Sequence, residues 1–386
     1  MAGRSASDAD YDVAVVGAGI VGLAHAYAAA RRGARVVVVE RDLAANGASI
    51  RNFGFVTVSG QARGEFWGLA RRTRDIWAEV AAAAGVAIEH RGLLLTLRRP
   101  ESVALAEAFL ATEMGEGCEL LDAPALRRLH PRIAAQESLG ALVSQHELRV
   151  ESRTALPRLA SWLAAAHGVD FRFGVAALAA RPPVISTSRG PIRARRAVVC
   201  PGDDFASLYP ERLAPFALTR CRLSMLRLAD PGFRLPGGVM SDLGLVRYAG
   251  YAALPEAEAL RRRLEAEQLR HLQNGVHLIA VQSADGTLVV GDSHHYGEAP
   301  SPFAPAEAEA LILDELRLAT GLAPPPVVER WTGTYAVADG RTLLVDAPSE
   351  DVRLVLVTAG CGASIGFALA EAVVGALLDG GTEAAC

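Results

Sequence analysis

Gly17-Ala18-Gly19-Ile20-Val21-Gly22 decides the fold of this 386-residue chain. The motif ends the apolar run 12–17, which is typical of a buried parallel strand. It opens the Ala-rich segment 20–32, which predicts a helix that Gly33 ends. A β-branched strand is predicted at 35–40. Strand, glycine turn, helix and strand follow one another within about 30 residues, the length of one βαβ unit.

Each glycine of the motif has a separate physical role. Gly17 allows the tight turn, Gly19 lets the backbone approach a pyrophosphate, and Gly22 lets helix and strand pack closely. The phosphates then face the free amides and the positive dipole end of the helix. Glu40 ends the next strand about 20 residues on, where a carboxylate accepts hydrogen bonds from ribose hydroxyls. The residues predicted to contact the dinucleotide here are Gly17, Gly19, Ile20, Val21, Gly22, Glu40 and Arg41.

The composition sets the broad class of protein. With 51% hydrophobic and 21% charged residues, the chain is expected to fold as a globular protein. The net charge of −4 predicts no general attraction to nucleic acid. Residues 1–10 lack an apolar signal core, and no run of about 18 apolar residues predicts a membrane span. The five cysteines lack metal-ligand spacing, so we expect a cytoplasmic protein with free thiols and no metal.

Strand and helix patterns at the two ends of the chain suggest one discontinuous domain. A buried strand ends in a Pro-Gly turn at 195–202, and the C-terminus reads as strand 353–358, glycine loop 360–366 and helix 367–378. Alternating strand patterns lie between them, at 216–228, 246–252 and 276–290, with a charged helix at 256–272. The predicted nucleotide domain comprises 10–90, 146–215 and 325–386, and the predicted inserted substrate domain comprises 91–145 and 216–324. The substrate is expected to bind between them.

In order along the chain, four features resemble one protein family. They are the N-terminal βαβ unit, the segment Gly47-Ala48-Ser49 with Asn52 and Gly54, the strand ending at Gly202, and the loop 360–366. Together they resemble the D-amino-acid oxidase-like (DAO) superfamily of FAD-dependent amine oxidoreductases, which includes glycine oxidase, sarcosine oxidase and D-amino-acid dehydrogenase. The resemblance implies an α/β (α+β) two-domain flavoprotein with a Rossmann-type FAD domain and an inserted antiparallel-sheet substrate domain. The further FAD contacts that it implies are Ser49, Arg51, Asn52, Gly54, Gly202, Gly360, Gly362, Ala363, Ser364, Ile365 and Gly366.

The segment 49–54 followed by Gly60-Gln61 resembles a narrower subfamily, whose members often accompany phosphonate-degradation enzymes. Arg51 lies in this segment, which is expected to run beside the flavin. A guanidinium presents a planar donor fork suited to carboxylate, phosphonate or a reduced flavin. A structural salt bridge or a phosphate contact is the alternative role for Arg51.

The expected substrate clamp departs from that of glycine and sarcosine oxidases, which hold the substrate carboxylate with basic residues. Alignment of 276–291 with the substrate-domain strand places Gln282 where an arginine is expected. Alignment of 331–335 places Tyr335 near the second basic position. The usual α-carboxylate clamp is then absent, so a different anion, or none, is favoured.

Four residues are predicted to be catalytic. His294 follows a strand that should face the cleft, where a neutral histidine accepts a proton from a substrate ammonium. The alternative is a loop histidine without a chemical role, and the pair with His295 does not suggest a metal site. Arg247 and Tyr248 lie on another predicted cleft strand, where alternation places only one of them inside; the alternative is that both are ordinary sheet residues. The predicted catalytic set is Arg51, His294, Tyr335 and Tyr248.

Two residue types that are absent, a cysteine before the C-terminal glycine loop and any lysine, bear on how FAD is attached and on the electron acceptor. Sarcosine oxidase-like enzymes often bond FAD to a cysteine before the C-terminal glycine loop, but residues 311–340 contain none, so non-covalent FAD is predicted. Cys361 is expected to be a small packing residue. The chain has no lysine, the residue that several related oxidases place over the flavin. Arg51, His294 or His295 would supply the positive charge instead, so both oxygen and another acceptor stay open.

These features lead to a predicted reaction. The resemblance implies hydride transfer to flavin N5 from the carbon beside a neutral amine nitrogen, and the imine product then hydrolyses to an aldehyde. The predicted substrate is a small primary or N-methylated amine with an anionic group, best an aminoalkylphosphonate. The alternatives are a D-amino-acid or secondary-amine dehydrogenase, a 2-hydroxy-acid oxidoreductase, and a flavin-binding subunit without its own turnover.

Overall fold

A computed structural model describes residues 10–380 of the chain. The predictions for residues 1–9 and for Cys386 lie outside the described residues. The strands are β1 Tyr11–Val16, β2 Val36–Glu40, β3 Phe55–Val56, β4 Ile88–Leu97, β5 Cys118–Asp122, β6 Gly140–Val150, β7 Asp170–Phe173, β8 Ala177–Arg181, β9 Val184–Thr187, β10 Ile192–Val199, β11 Thr219–Leu228, β12 Gly238–Ser241, β13 Ile279–Gln282, β14 Leu288–Gly297, β15 Val327–Val337, β16 Leu343–Ser349 and β17 Val352–Val357. The helices are α1 Ile20–Arg31, α2 Glu65–Ala83, α3 Pro100–Leu110, α4 Ala123–Leu129, α5 Ser152–His167, α6 Pro210–Leu213, α7 Ala249–Ala252, α8 Ala257–Glu267, α9 Leu269–Gln273, α10 Ala306–Thr320 and α11 Gly362–Asp379.

The first sheet has a parallel centre, in the strand order β16-β17-β10-β1-β2-β7. Strand β1 pairs in parallel with β10 on one side and with β2 on the other. Val13 and Val15 face one core, which α1 and α11 cover, and Ala14 faces the opposite core. Because both faces are covered, residues 13–16 of β1 and 36–39 of β2 are all apolar. This sheet confirms the predicted Rossmann-type unit.

The second sheet is mainly antiparallel, in the strand order β15-β11-β14-β13-β12-β4-β6-β3. Strands β13 and β14 form a hairpin in which Gln282 pairs with Leu288. Strand β11 lies between β14 and β15 over nearly its whole length. One apolar core lies on each face of this sheet. The structure thus has two sheets, and the predicted mixed α/β two-domain fold is confirmed.

Two strands correct the predicted domain boundaries. The range 325–386 was assigned to the FAD domain, but β15 pairs with β11 in the second sheet. Likewise β3, within the range 10–90, pairs with β6 of the second sheet. Backbone hydrogen bonding decides this membership, since β11 would otherwise leave a row of donors and acceptors unpaired.

The predicted strand at 246–252 is wrong. The chain instead forms a 3₁₀ turn over Asp242–Val246 and the short helix α7. Helical spacing brings Tyr248 and Tyr251 to the same side, where both surround Gly60. Tyr251 is then buried against the Phe109 ring, with 4.6 Å between the centroids.

The predicted helix at 256–272 is divided into α8 and α9. The break falls at Gln268, whose backbone leaves the helical region with φ −133° and ψ 38°. Its side chain accepts a hydrogen bond from Arg99 and donates one to Glu315, within a buried network of charged groups. These bonds compensate for the interrupted helix.

Helix α11 has the length and hydropathy of a membrane-spanning helix. In the described part of the chain it packs against α1 and α2, and more than half of it is buried. The core helix of a globular protein meets the same criteria of length and composition.

Candidate active site

A cavity of about 1200 Å³ opens between the two sheets. Its lining begins at the glycine turn after β1, follows the segment after β2, and reaches the start of α11. Strands of the second sheet, β11, β13, β14 and β15, form the opposite wall. The volume exceeds the range of about 300–1000 Å³ that is common for drug-sized ligands. It therefore has room for a dinucleotide together with a small second molecule.

The glycine turn is packed so tightly that positions 17 and 22 have no room for a side chain. Gly17 has φ +102°, and a Cβ there would lie 2.5 Å from the carbonyl oxygen of Cys200. A Cβ on Gly22 would lie 1.9 Å from the carbonyl oxygen of Gly17. Since α1 begins immediately after this turn, its free amides and positive dipole end face the cavity. The turn thus has the form that a pyrophosphate requires.

Ser49 and Glu40 lie beside this turn, as the sequence predicts. The Ser49 hydroxyl accepts a hydrogen bond from the Ile20 amide at 3.0 Å, which places it at the amino end of α1. The Glu40 carboxylate accepts from the amides of Ala18 at 2.8 Å and Asp42 at 3.0 Å. These bonds fix the carboxylate at the cavity edge, where it can receive ribose hydroxyls.

Arg41 makes an ion pair across this end of the cavity. Its guanidinium donates to Asp204 at 2.7 Å, and Asp204 also accepts from the Ser207 hydroxyl. The bridge joins the end of β2 to the loop after β10, and both residues line the cavity. Arg41 therefore lies at the predicted site, with an acidic partner that the sequence did not indicate.

The amino end of α11 forms another part of the wall. The helix begins at Gly362, so Ala363, Ser364, Ile365 and Gly366 belong to its first turns and the predicted loop is shorter. The Ser364 hydroxyl accepts from the amide of Thr57 at 2.9 Å and thereby joins the helix to the segment after β3. Gly360 has φ +68°, and its backbone lies against the Tyr335 ring.

All but two of the predicted cofactor contacts line this cavity. The exceptions are Ile365 and Gly366, which are buried and point away from it because the helix turns them inward. The predicted residues that line it are Gly17, Gly19, Ile20, Val21, Gly22, Glu40, Arg41, Ser49, Arg51, Asn52, Gly54, Gly202, Gly360, Gly362, Ala363 and Ser364. The four predicted catalytic residues Arg51, Tyr248, His294 and Tyr335 also line it.

Arg51 makes few contacts within the protein. Its guanidinium donates to the side-chain oxygen of Asn46 at 3.2 Å, and its backbone oxygen accepts from the Trp331 indole at 2.9 Å. Among residues 10–380 no carboxylate lies within ion-pair distance of it. The structural salt bridge considered as an alternative role is therefore not found in this part of the chain.

Arg247 brings a guanidinium to the substrate side of the cavity, away from the two aligned positions where the sequence predicts no arginine. Its guanidinium donates to the Tyr296 hydroxyl at 3.1 Å and lies 3.5 Å from the Tyr335 hydroxyl. Both Arg247 and Tyr248 line the cavity, because a helical turn replaces the predicted strand. Gln282 instead lies outside the lining, with its amide bonded to the carbonyl oxygens of Phe233 and Gly286. The alignment that placed Gln282 in the cleft was wrong.

Three titratable side chains meet beside Arg247. A ring nitrogen of His277 lies 3.5 Å from one oxygen of Asp292, and Nε2 of His294 lies 3.8 Å from the other. All three residues are buried and line the cavity. His277 and Asp292 are not among the residues predicted from the sequence, which pairs His294 only with His295. His295 is outside the lining, half-buried on the other face of β14.

Burial controls the charge of these groups. It raises the pKa of Asp292 to about 7, although Arg247 acts to lower it. It lowers the pKa of His277 and His294 well below the usual value, and Arg247 adds to this effect. Burial, with Arg222, also lowers the pKa of His295. The histidines are therefore neutral near neutral pH, so arginine remains as the positive charge at the cavity.

Cys361 precedes α11 and lines the cavity. Burial raises the pKa of its thiol to about 12, so the reactive thiolate form is scarce near neutral pH. This agrees with the expected packing role. Covalent attachment of FAD elsewhere is not tested, and non-covalent FAD stays a prediction.

The residues present fit an adenine dinucleotide at one end and a small polar molecule at the other. The turn at Gly17 and Gly22 has no room for a Cβ, and the amino ends of α1 and α11 both face the cavity. A parallel nucleotide-binding sheet with an antiparallel sheet across the cavity defines a two-domain dinucleotide-dependent oxidoreductase. The chain belongs to the DAO family of FAD-dependent oxidoreductases, whose pattern it matches over residues 12–376.

Solved structures share this fold across nearly the whole chain. Glycine oxidase from Bacillus cereus ATCC 14579 is 17% identical, with a TM-score of 0.74 over 97% of this chain and 96% of that chain. L-proline dehydrogenase from P. horikoshii is 15% identical, with a TM-score of 0.76 over 97% and 95%. L-alpha-glycerophosphate oxidase from Mycoplasma pneumoniae, with FAD bound, is 15% identical, with a TM-score of 0.69 over 97% and 95%. No curated protein sequence gives a significant match.

Proposed function

We propose that this enzyme oxidises the C–N bond of a small amine that carries an anionic group. The observation that carries the proposal is Arg247. Its guanidinium lines the cavity, and among the described residues no carboxylate lies within ion-pair distance of it. A cation without an acidic partner in a cleft is suited to a ligand's carboxylate or phosphonate.

The anion site has a defined shape. Tyr296 of β14 and Tyr335 of β15, the strands on either side of β11, hold the guanidinium of Arg247. Tyr335 is buried, and burial raises its pKa, so its hydroxyl remains a neutral donor. A guanidinium and two hydroxyls therefore meet where the substrate's anionic group would bind. When FAD is bound, it supplies the two-electron acceptor for the oxidation.

An aminoalkylphosphonate is the substrate that we favour. The support is the resemblance of residues 49–54 and Gly60-Gln61 to a subfamily that accompanies phosphonate-degradation enzymes, together with the anion site. The Arg247 fork accommodates a phosphonate or a carboxylate. A D-amino-acid or secondary-amine dehydrogenase and a 2-hydroxy-acid oxidoreductase are therefore the competing functions.

Anaerobic mixing of the FAD-loaded protein with candidate substrates tests the proposal. The panel pairs primary and N-methylated aminoalkylphosphonates with amino acids and 2-hydroxy acids of matched length. We expect the amines with an anionic group to bleach the flavin, with the phosphonates fastest. Bleaching by the hydroxy acids alone would overturn the proposed reaction. No bleaching by any compound would favour a flavin-binding subunit without its own turnover.

Re-aeration of the bleached protein identifies the acceptor. The chain has no lysine to place over the flavin, and the cavity histidines are neutral. Arg51 and Arg247 are the arginines free to supply a positive charge on the substrate side. Rapid return of flavin colour with stoichiometric peroxide would define an oxidase, and slow return would define a dehydrogenase that uses another acceptor.

A further inference from the structure

Two buried polar atoms in the cavity lack, within the described part of the chain, the hydrogen bonds that burial requires. Oδ1 of Asp292 and Nδ1 of His277 have no hydrogen-bond partner among residues 10–380, although they lie 3.5 Å apart. Asp292 is 4% exposed and His277 is also 4% exposed. Unsatisfied buried polar atoms are costly and point to a missing partner.

His294 is oriented toward the same point. Its Nδ1 bonds to the Gly275 carbonyl oxygen at 2.9 Å, which makes that nitrogen the donor. In the neutral ring, Nε2 then carries a lone pair, and it lies 3.8 Å from Oδ2 of Asp292. The ligating atoms of Asp292, His277 and His294 all lie within 4.8 Å of one another. A small cation with several N–H donors would satisfy this group.

We infer that Asp292, together with His277 and His294, binds the ammonium group of the substrate and takes up its proton before the C–N bond is oxidised. This inference rests on the proposed amine oxidation. The carboxylate of Asp292 gains the proton, and the ammonium becomes a neutral amine whose lone pair assists the oxidation. The substrate's nitrogen keeps its bonds to carbon in this step, and the charges cancel.

The neighbouring anion site supports the assignment. The ring of His294 lies 6.2 Å from that of Tyr296 and 6.4 Å from that of Tyr335, the two residues that hold Arg247. The proposed anion site at Arg247 and the proposed ammonium site at Asp292 are therefore adjacent. This arrangement fits a zwitterion with a short spacer between its charges.

The titratable groups around Asp292 leave it as the residue that titrates near neutral pH. The groups that face it are Arg247, His277, His294, Cys221, Tyr248 and Tyr296. Arg247 stays charged, and the pKa of each histidine is lowered by burial. Burial raises the pKa of Cys221 to about 11 and raises those of both tyrosines. Among these groups, only the carboxylate of Asp292 changes charge near neutral pH, where the substrate ammonium must lose its proton.

A divalent metal is the competing occupant of this cluster. Two imidazoles and one carboxylate are suitable ligands for such an ion. A divalent ion, however, brings two positive charges beside Arg247 and meets a single carboxylate, whereas an ammonium brings one charge that this carboxylate balances. We therefore favour the ammonium and use the metal content as a test.

Binding of matched probes to the FAD-loaded protein tests the inference without turnover. The probe pairs are 2-aminoethylphosphonate with ethylphosphonate, and glycine with acetate. Binding of each probe is measured from the change in the flavin absorption spectrum. The wild type should prefer the amine-bearing member. Asp292→Asn should lose affinity for that member by about 10- to 100-fold and keep its affinity for the other. Arg247→Gln should weaken both members, whereas Asp285→Asn, at the exposed β13–β14 turn, should weaken neither.

Three outcomes would overturn the inference. They are no amine preference in the wild type for either pair, an unchanged preference in Asp292→Asn whether or not both affinities fall, and a stoichiometric divalent metal that Asp292→Asn loses. An amine preference that depends on Asp292, without flavin bleaching by any amine, would contradict the proposed oxidation and keep Asp292 as the amine site.

The pH profile tests the proton step. With an amine that bleaches the flavin, Asp292→Asn should react only through the neutral amine present in solution, so its rate should keep rising toward the pKa of the amine. The wild type should level off earlier, after Asp292 ionises. Identical profiles would overturn proton uptake by Asp292.

Discussion

The hydroxyl of Tyr335 lies 3.5 Å from the guanidinium of Arg247, while the ring of the same tyrosine lies against the backbone of Gly360. Tyr335 belongs to β15 of the second sheet, and Gly360 precedes α11 of the first domain. One side chain thus joins the proposed anion site to the end of the cavity where α11 begins. Through Tyr335, the side chains of the proposed anion site therefore contact the backbone at the start of α11.

Replacement of Arg247 by Gln should weaken anionic substrates without loss of FAD. Removal of a hydrogen bond to a charged group costs about 1.5–3 kcal/mol, which raises KM by about 10- to 100-fold. Steady-state kinetics and the FAD content of the purified variant measure the two effects. Arg262→Gln, on the exposed face of α8, is the matched control and should leave both unchanged. An unaltered KM in Arg247→Gln would remove this residue from substrate binding.

Arg51→Leu should also reduce the affinity for an anionic substrate far more than it reduces FAD retention. Among residues 10–380 the side chain donates only to Asn46, and it is open to the cavity, so its loss leaves no buried acid there unpaired. Arg153→Leu serves as the comparison, since Arg153 lies beside Arg51 in a separate groove and pairs with Glu329. Equal substrate affinities in wild type and Arg51→Leu would assign Arg51 a role outside substrate binding.

A methyl group at Gly22 should remove FAD. The Cβ would lie 1.9 Å from the Gly17 carbonyl oxygen, so the turn must open and its amides lose their alignment. Gly22→Ala should therefore purify with a small fraction of the wild-type flavin, as measured by absorbance per chain. Gly68→Ala, on α2 with open space at its Cβ, should keep its flavin and gain about 1 kcal/mol in stability. Full flavin content in Gly22→Ala would contradict this account of the turn.

Asp292→Asn should stabilise the protein at high pH. Burial raises the pKa of Asp292 from 3.8 to about 7, so the folded state binds more protons than the unfolded state between these values. Stability is therefore lost as the pH rises through this range, by up to about 4 kcal/mol. The Asn variant should unfold at a higher temperature than the wild type above the pKa of Asp292, and the two should converge in acid.

Asp285 is the control for that measurement, because its effect on stability should change with pH in the opposite direction. Its hydrogen bond from the Thr287 side chain lowers its pKa, so its contribution to stability is present above the usual aspartate pKa and lost in acid. Asp285→Asn should therefore be slightly less stable than the wild type at high pH. A high-pH gain in both variants would indicate a general effect of charge rather than the burial of Asp292.

Most of the residues that the local motifs predict as cofactor contacts line the cavity. Gly17, Gly19 and Gly22 each serve the backbone of one turn, and Glu40 ends the strand that follows, so neighbouring residues carry the information. Ser49 required the family resemblance, because it reaches Ile20 from a separate segment. Ile365 and Gly366 lie outside the cavity lining because α11 begins at Gly362 and turns them into the core.

The substrate side was harder to predict because its residues come from separate segments. His277 and Asp292 are joined by backbone hydrogen bonds across the β13–β14 hairpin, in both directions. The dipeptide Asp285-Gly286 is a strong hairpin signal, and a hairpin centred there would have placed 277 near 292. Reading 276–290 as one strand pattern concealed this pairing.

The sequence by itself determined the dinucleotide fold, the FAD family and most of the residues that line the cavity at the glycine turn, because consecutive backbone atoms form a phosphate-binding turn. The tertiary structure decided which charges face the substrate. A helical turn brings Arg247 into the cavity, hairpin pairing brings His277 to Asp292, and burial sets the protonation of both. The positions and protonation states of these side chains depend on packing between segments that are distant in sequence, so motif spacing alone does not predict them.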